Sequence, residues 1–325
     1  MKLPRRQFLH LAAGAAALAT IVVCSDAARS QTTGTIKIVV PFAPGGAASV
    51  LARLLADQIT LMQGPITVVE NRPGAGTAIG TDAVARATPD GNTLLINNPS
   101  LVINPHLRKQ NYDALASFEP VCNLVGVPNV LAVKGDSPYR TLNEFLETAR
   151  TKPGSLTMAN FTGAGSHIAL EQLKRMAKVD ITFIPYPGSA PAVTAVLGGH
   201  VTAMLDNFAT MAEHVNAGRM RALATFARQR TPLLPQIPTV AEAGYTEMDW
   251  EGWFGLFAPA NVPKEAISQI SNWSNAAMRA REVKPKLEAL GLIPLQMCGT
   301  DFKTLVRRHY EEFGKVIRET NIKAD

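Results

Sequence analysis

The residues able to do chemistry in this sequence fall in a few short stretches. Ser166 and His167 stand side by side after Thr162-Gly163-Ala164-Gly165, and Asp206 ends the apolar run Val201 to Leu205. A serine, a histidine and an aspartate invite a hydrolase reading, with Ser166 attacking, His167 taking its proton and Asp206 in support. The local pattern argues against it. Adjacent residues at a helix start point in different directions, and the glycines do not fit Gly-x-Ser-x-Gly. Ser166 reads better as an N-cap or ligand donor, and His167 as a ligand contact or a packed first-turn residue. Asp206, at a strand end facing a cleft, suits a group that hydrogen-bonds a ligand amine, hydroxyl or water. The histidines at 106, 200, 214 and 309 have no His or Cys partner at metal spacing, and no Walker motif occurs. The sequence therefore assigns no catalytic residue, metal or cofactor.

Anion capture is the chemistry that remains. Phe42-Ala43-Pro44-Gly45-Gly46-Ala47-Ala48-Ser49 follows the strand-like run Ile36 to Val40 and leads into Val50, Leu51, Leu54, Leu55 and Ile59, which recur at helical spacing. The loop thus opens onto a helix N-terminus, where unpaired N–H groups and the positive dipole end face outward and two glycines permit close approach. Leu156 to Phe161, the loop through Gly163, Ala164, Gly165, Ser166 and His167, and a helix bearing Ile168, Leu170, Leu173 and Met176 repeat the design about a hundred residues later. Neither loop contains Lys or Arg, so capture would rest on neutral N–H donors, hydroxyls and two helix dipoles. Asn98, in the polar stretch after the strand Thr93 to Asn97, and Gly188, in Tyr186-Pro187-Gly188-Ser189, are further candidate contacts.

The elements that must hold these loops read as α/β. Strands are expected at 66–70, 93–97, 118–125, 129–134, 156–161, 181–185, 201–205 and 221–226, with helices between them. Thr141 with Glu144, and Thr239 with Glu242, have capping-box spacing. Gly74, Gly76 and Gly80 only approximate a dinucleotide fingerprint, so close helix–sheet packing is the reading preferred. An insertion of one lobe inside the other fits the order: lobe 1 from 31–125 and 254–325, lobe 2 from 126–253, a two-lobed α/β fold with a hinge between.

Compartment follows from the first thirty residues. Arg5-Arg6-Gln7-Phe8-Leu9 precedes a weakly apolar stretch from Leu11 to Val23, too short to span a bilayer but suited to a twin-arginine export signal. Cleavage is expected after Ala27 or Ser30, which places the mature chain in the periplasm and makes the twin-arginine translocation machinery a partner. Removing residues 1–30 lowers the net charge from +6 to +3, and no basic cluster interleaved with aromatics argues for nucleic acid. Cys122 and Cys298 either pair after export or stay as buried thiols.

Several motifs carry a family resemblance. Val40-Pro41-Phe42-Ala43-Pro44-Gly45-Gly46, Glu70-Asn71-Arg72-Pro73-Gly74-Ala75-Gly76, Ser166-His167-Ile168-Ala169-Leu170-Glu171, Pro185-Tyr186-Pro187-Gly188-Ser189 and Leu234-Pro235-Gln236-Ile237-Pro238-Thr239 occur in this order. Together with the export signal they resemble the extracytoplasmic solute receptors of tripartite tricarboxylate transporters, the Bug receptors. The resemblance implies a periplasmic-binding-protein fold of the type II kind that closes on a small carboxylate and delivers it to a membrane permease; the leading expectation is a monomer. It also implies that the two glycine loops hold one carboxylate and that Asp206 reads the far end. Ser49, Ala164 and Pro187 depart from residues common in the family, which leaves dicarboxylates, amino acids and aromatic acids open as cargo. A sensory receptor feeding a membrane kinase and an exported hydrolase are the alternative functions.

Overall fold

The computed structural model describes residues 34–160, 165–186, 188–248 and 250–322. The export segment, Gly163 and Ala164 lie outside these residues.

Two sheets organise the chain. The first begins with β1 (Ile36–Val40), α1 (Ala47–Leu61), β2 (Thr67–Asn71), α2 (Ala78–Ala85), β3 (Thr93–Asn97), α3 (Ser100–Leu107) and β4 (Phe118–Val127). The second contains β5 (Asn129–Lys134), α4 (Leu142–Thr151), β6 (Thr157–Asn160), α5 (Gly165–Ala177), β7 (Thr182–Pro185), α6 (Ser189–Leu197), β8 (Ala203–Asn207), α7 (Ala212–Asn216) and β9 (Met220–Thr225). The chain then returns with β10 (Gly252–Pro259), α8 (Lys264–Arg279), α9 (Val283–Ala289), β11 (Ile293–Cys298) and α10 (Thr300–Thr320). The six-stranded sheet runs β11-β4-β10-β3-β1-β2, and the five-stranded sheet β7-β6-β8-β5-β9.

The apolar run of β1 explains its place. It pairs in parallel with β2 on one side and β3 on the other, and Ile36, Ile38, Val39 and Val40 are all buried. Leu51, Leu55 and Ile59 of α1 are buried in one core cluster with Ile36, Ile38 and Val40, each contributing about 1.5–3 kcal/mol by leaving water. In the second sheet β6 pairs in parallel with β7 and β8. Both sheets therefore offer three adjacent parallel strands whose C-terminal ends carry the loops, the edge at which open α/β sheets collect ligands.

Two crossings join the sheets. Pro128 alone separates β4 from β5, and its carbonyl accepts from Phe208 N at 2.8 Å. The return crossing is tied to it: Phe226 N donates to Asn129 O at 2.9 Å, and the Asn129 amide donates to Trp250 O at 2.6 Å. Behind the crossings α10 packs on both α3 and α5, Trp250 stacks on Phe313 at 4.3 Å, and Arg175 pairs with Glu319. One core cluster accordingly holds Val39 and Leu95 together with Leu131 and Leu205.

Some local expectations change. The segment 100–107 is helical although Pro105 lies inside it, and 293–298 is a strand although it contains Pro294. Pro105 lies past the first turn of α3 and forfeits one bond of its short ladder, while β11 is an edge strand, where proline is tolerated. Thr239 and Glu242 make reciprocal capping bonds, yet they close a turn rather than a helix. Cys122 and Cys298 are directly opposed on β4 and β11 and form a disulfide across 176 residues of sequence.

Candidate functional site

A cleft of about 1180 Å³ opens at the C-terminal ends of the parallel strands of both sheets. One wall carries Phe42 and Ala43 after β1, Gly74, Gly76 and Thr77 after β2, and Asn98 and Ser100 after β3. Gly165 and Ser166 after β6, Tyr186 after β7, and Asp206 and Asn207 after β8 form the other. The crossing residues Val127, Asn129, Gly252 and Trp253 make the floor. A Cβ on Gly252 would meet Val127 O at 2.9 Å, so the strands approach this closely only with glycine there. Trp253 is fixed by donating its indole N–H to His309 Nδ1 at 3.0 Å. Burial, reinforced by the charge of Arg308, holds the His309 pKa down at about 3, which keeps Nδ1 an acceptor.

The first glycine loop is braced from below. The Asn71 amide donates to Phe42 O at 3.0 Å and to Ser49 Oγ at 2.6 Å. Ser49 is 1% exposed, so its hydroxyl supports the loop and does not present itself to the cleft. Its N–H, with that of Val50, is already given to Gly46 O. Gly45 takes φ +88°, a conformation that favours glycine. Gly46 caps α1 with no side-chain hydrogen bond, and residues 43 to 46 are exposed, leaving the first turn open for an anion. Gly45, Gly46, Ala47 and Ala48 stand at this helix start next to the lining residue Ala43, and are not themselves in the cleft lining.

In the second loop α5 begins at Gly165, so Ser166 belongs to its first turn and is not its N-cap. The Ser166 hydroxyl donates to Asn160 Oδ1 at 3.0 Å, and the Asn160 amide donates to Leu205 O at 2.8 Å. The His167 ring lies flat on Phe183 at 4.1 Å and is buried outside the cleft lining. Packing absorbs it, because the side chain after Ser166 turns toward β7. Gly188 is likewise outside the lining. Asn98 lines the cleft while its Oδ1 accepts from the Ser100 N–H at 3.0 Å.

Asp206 lies half-buried at the wall. Its carboxylate accepts from the Ser189 hydroxyl at 2.5 Å and from Asn207 N at 2.7 Å. Desolvation raises its pKa above the ordinary 3.8, and these two hydrogen bonds only partly oppose the rise. With the folded value above the unfolded one, the native state binds more protons between the two. The charged carboxylate therefore costs stability at neutral pH, and that cost fades as pH falls through the folded value. Asp206→Asn should raise the melting midpoint at pH 7.5, with the advantage shrinking toward pH 4. Melting curves at both pH values giving an equal difference would contradict this account.

Among the described residues, no three His, Cys, Asp or Glu side chains gather as metal ligands. The arrangement leaves room for a small molecule between two sheet edges, among backbone and side-chain polar groups. A model of the tripartite tricarboxylate transporter family receptor matches residues 51–322. The chain belongs to this family. It is 33% identical to protein BugT of Bordetella pertussis over 292 residues, 89% of this chain and 90% of that protein. R. palustris Rpa4515, solved with adipate, superposes with a TM-score of 0.76 at 30% identity, covering 89% of this chain and 98% of that one. MatC from Rhodopseudomonas palustris, solved with bound malate, gives a TM-score of 0.70 at 29% identity, covering 87% and 98%. These neighbours show the two-sheet α/β fold of periplasmic binding proteins, as the sequence leads one to expect.

The receptor's cleft also contains a wall that the motifs did not reveal. Gly74, Ala75, Gly76 and Thr77 all have positive φ, from +48° at Ala75 to +131° at Gly74. Side chains hold this turn: the Asn104 amide donates to Gly76 O at 2.6 Å, and Thr77 Oγ1 lies 3.1 Å from Ser100 Oγ. Thr81 Oγ1 donates to Thr77 O at 2.8 Å and accepts from the Asn97 amide at 2.9 Å. Gly80 does serve packing, since a Cβ there would meet Arg72 O at 2.8 Å, but Gly74 and Gly76 face the cleft. The signal was available in the glycines themselves, at positions where only a left-handed turn needs them.

Proposed function

We propose that this protein is a periplasmic solute receptor that captures a small organic carboxylate in the cleft and hands it to the permease of a tripartite tricarboxylate-type transporter. One observation carries the reading: helices α1 and α5 start beyond parallel strands of the two sheets, and Ala43 before the first and Gly165 and Ser166 of the second line one cleft. One carboxylate sits on the N–H donors of Gly46, Ala47 and Ala48 and on the second loop, from Gly163 and Ala164 through Gly165 and Ser166. Asp206 reads a donor at the other end. The adipate and malate complexes of related receptors support a carboxylate as cargo.

The protein works as a binder and not as an enzyme. Ser166 gives its hydroxyl to Asn160, and His167 is stacked on Phe183, an arrangement ill suited to nucleophile and base. The lobes are 31–125 with 254–325, and 126–253. The membership of β1 to β4, β10 and β11 in one sheet and β5 to β9 in the other supports this division, with strands β4 and β10 overrunning it slightly. Residues 1–30 direct export through the twin-arginine pathway, and the mature protein is a periplasmic monomer. Thermal-shift screening of ligand-stripped protein against organic acids tests the reading. At a hundredfold excess over Kd, a bound acid adds about 2.7 kcal/mol and raises the midpoint. A broad panel without a single shift would end the transport assignment.

A further inference from the structure

The cleft lining holds one basic and one acidic side chain among the described residues, Arg108 and Asp206. Asp206 is occupied by Ser189 and Asn207. Arg108 stands differently. It follows α3, whose cleft face presents Ser100, Ile103, Asn104 and Leu107 at helical spacing. Arg108 is exposed, and its guanidinium lies where a Cβ on Gly76 would be 2.9 Å from Nη2. Gly76 leaves room for the guanidinium over this turn, and its φ of +59° is itself one that favours glycine. The turn itself is fixed by Asn104, Ser100 and Thr81 in left-handed backbone that Ala75 and Thr77 adopt at a cost. No ion pair engages the Arg108 side chain among the described residues. Ile103 meets the second loop, because a Cβ on Gly165 would be 3.7 Å from its Cδ1. Arg108 comes roughly one and a half helical turns later, about 7 Å along the helix direction.

We infer that Arg108, held over the Gly74–Thr77 turn, is a further specificity-determining residue and selects acids with a second anionic group, while Asp206 reads a hydrogen-bond donor elsewhere on the same cargo. This rests on the carboxylate-receptor reading above. The first carboxylate is bound by neutral donors, which do not distinguish one acid from another. A planar guanidinium with two parallel N–H donors does distinguish, since it matches a carboxylate, sulfonate or phosphonate and gains nothing from a methyl terminus.

Titration of stripped wild-type protein and Arg108→Gln with α,ω-dicarboxylates from succinate to suberate, and with chain-matched monocarboxylates such as hexanoate against adipate, tests the inference. Expected is a wild-type preference for the best diacid over its matched monoacid of roughly ten- to a hundredfold, the worth of a charge-assisted hydrogen-bonded pair. Arg108→Gln should erase that preference while leaving monoacid affinity unchanged, and Arg108→Lys should keep part of it. Three results would overturn the assignment: monoacids binding wild type as tightly as diacids, both classes weakening equally in Arg108→Gln, or the variant changing only the melting midpoint, as a mere partner of the helix dipole would. If wild type binds neither series, this inference falls on its own, and the broad organic-acid panel decides the carboxylate reading separately.

Discussion

Gly46→Asp is expected to abolish carboxylate binding while the melting midpoint stays level or rises slightly. Gly46 is the N-cap of α1, has ordinary φ of −75°, and an added Cβ would find Ala43 O no nearer than 3.8 Å. Nothing in the fold resists the side chain. Aspartate is a good N-cap, and its charge suits the dipole, so helix stability gains a few tenths of a kcal/mol. The same carboxylate occupies the first-turn donors and repels an incoming anion, a like-charge contact costing several kcal/mol and therefore roughly a hundredfold or more in affinity. Gly46→Asn supplies the neutral control, a cap of the same shape that should weaken binding much less. Calorimetric titration with an acid found in the screen reads both. Equal affinity in wild type and Gly46→Asp would place the anion elsewhere than the α1 N-terminus.

The second large effect concerns stability. Cys122 and Cys298 tie the central strand β4 to the edge strand β11. The bond closes a loop spanning 176 residues, which contains the whole second sheet. A cross-link over so long a loop restricts the unfolded chain strongly, and its removal typically costs about 2–5 kcal/mol. Cys122→Ala with Cys298→Ala should lower the midpoint by roughly 5–10 °C and leave cargo affinity within a factor of about two, because neither cysteine lines the cleft. Melting curves of oxidised, reduced and doubly substituted protein would expose the error if all three coincided.

How much of this could be read beforehand depended on whether a local pattern carried the information. The run Ile36 to Val40 and the periodic helix after Gly46 announce their own structure, because a buried parallel strand and an amphipathic helix differ in spacing. The repeat at Leu156 to Met176 was legible for the same reason. α3 and β11 have no comparable pattern, and each contains a proline, which argues against regular structure unless one knows, as for β11, that a strand lies at an edge. Ser49 and His167 sit in the right loops, but only tertiary packing shows that Asn71 claims one and Phe183 covers the other. Arg108 belongs to no motif; a helix face and a distant glycine turn make it part of the site. The pairing of Cys122 with Cys298 required the register of β4 against β11.

The joint behind the cleft has its own consequence. Trp250 against Phe313, Arg175 with Glu319, and a core cluster shared by strands of both sheets bind the rear of the molecule into one packed mass. Close-packed interiors resist shear, so any closing of the lobes on cargo must pivot about this packed rear. The travel of each lobe should then be greatest at the mouth and least at that pivot, which solution scattering of empty and laden protein would measure.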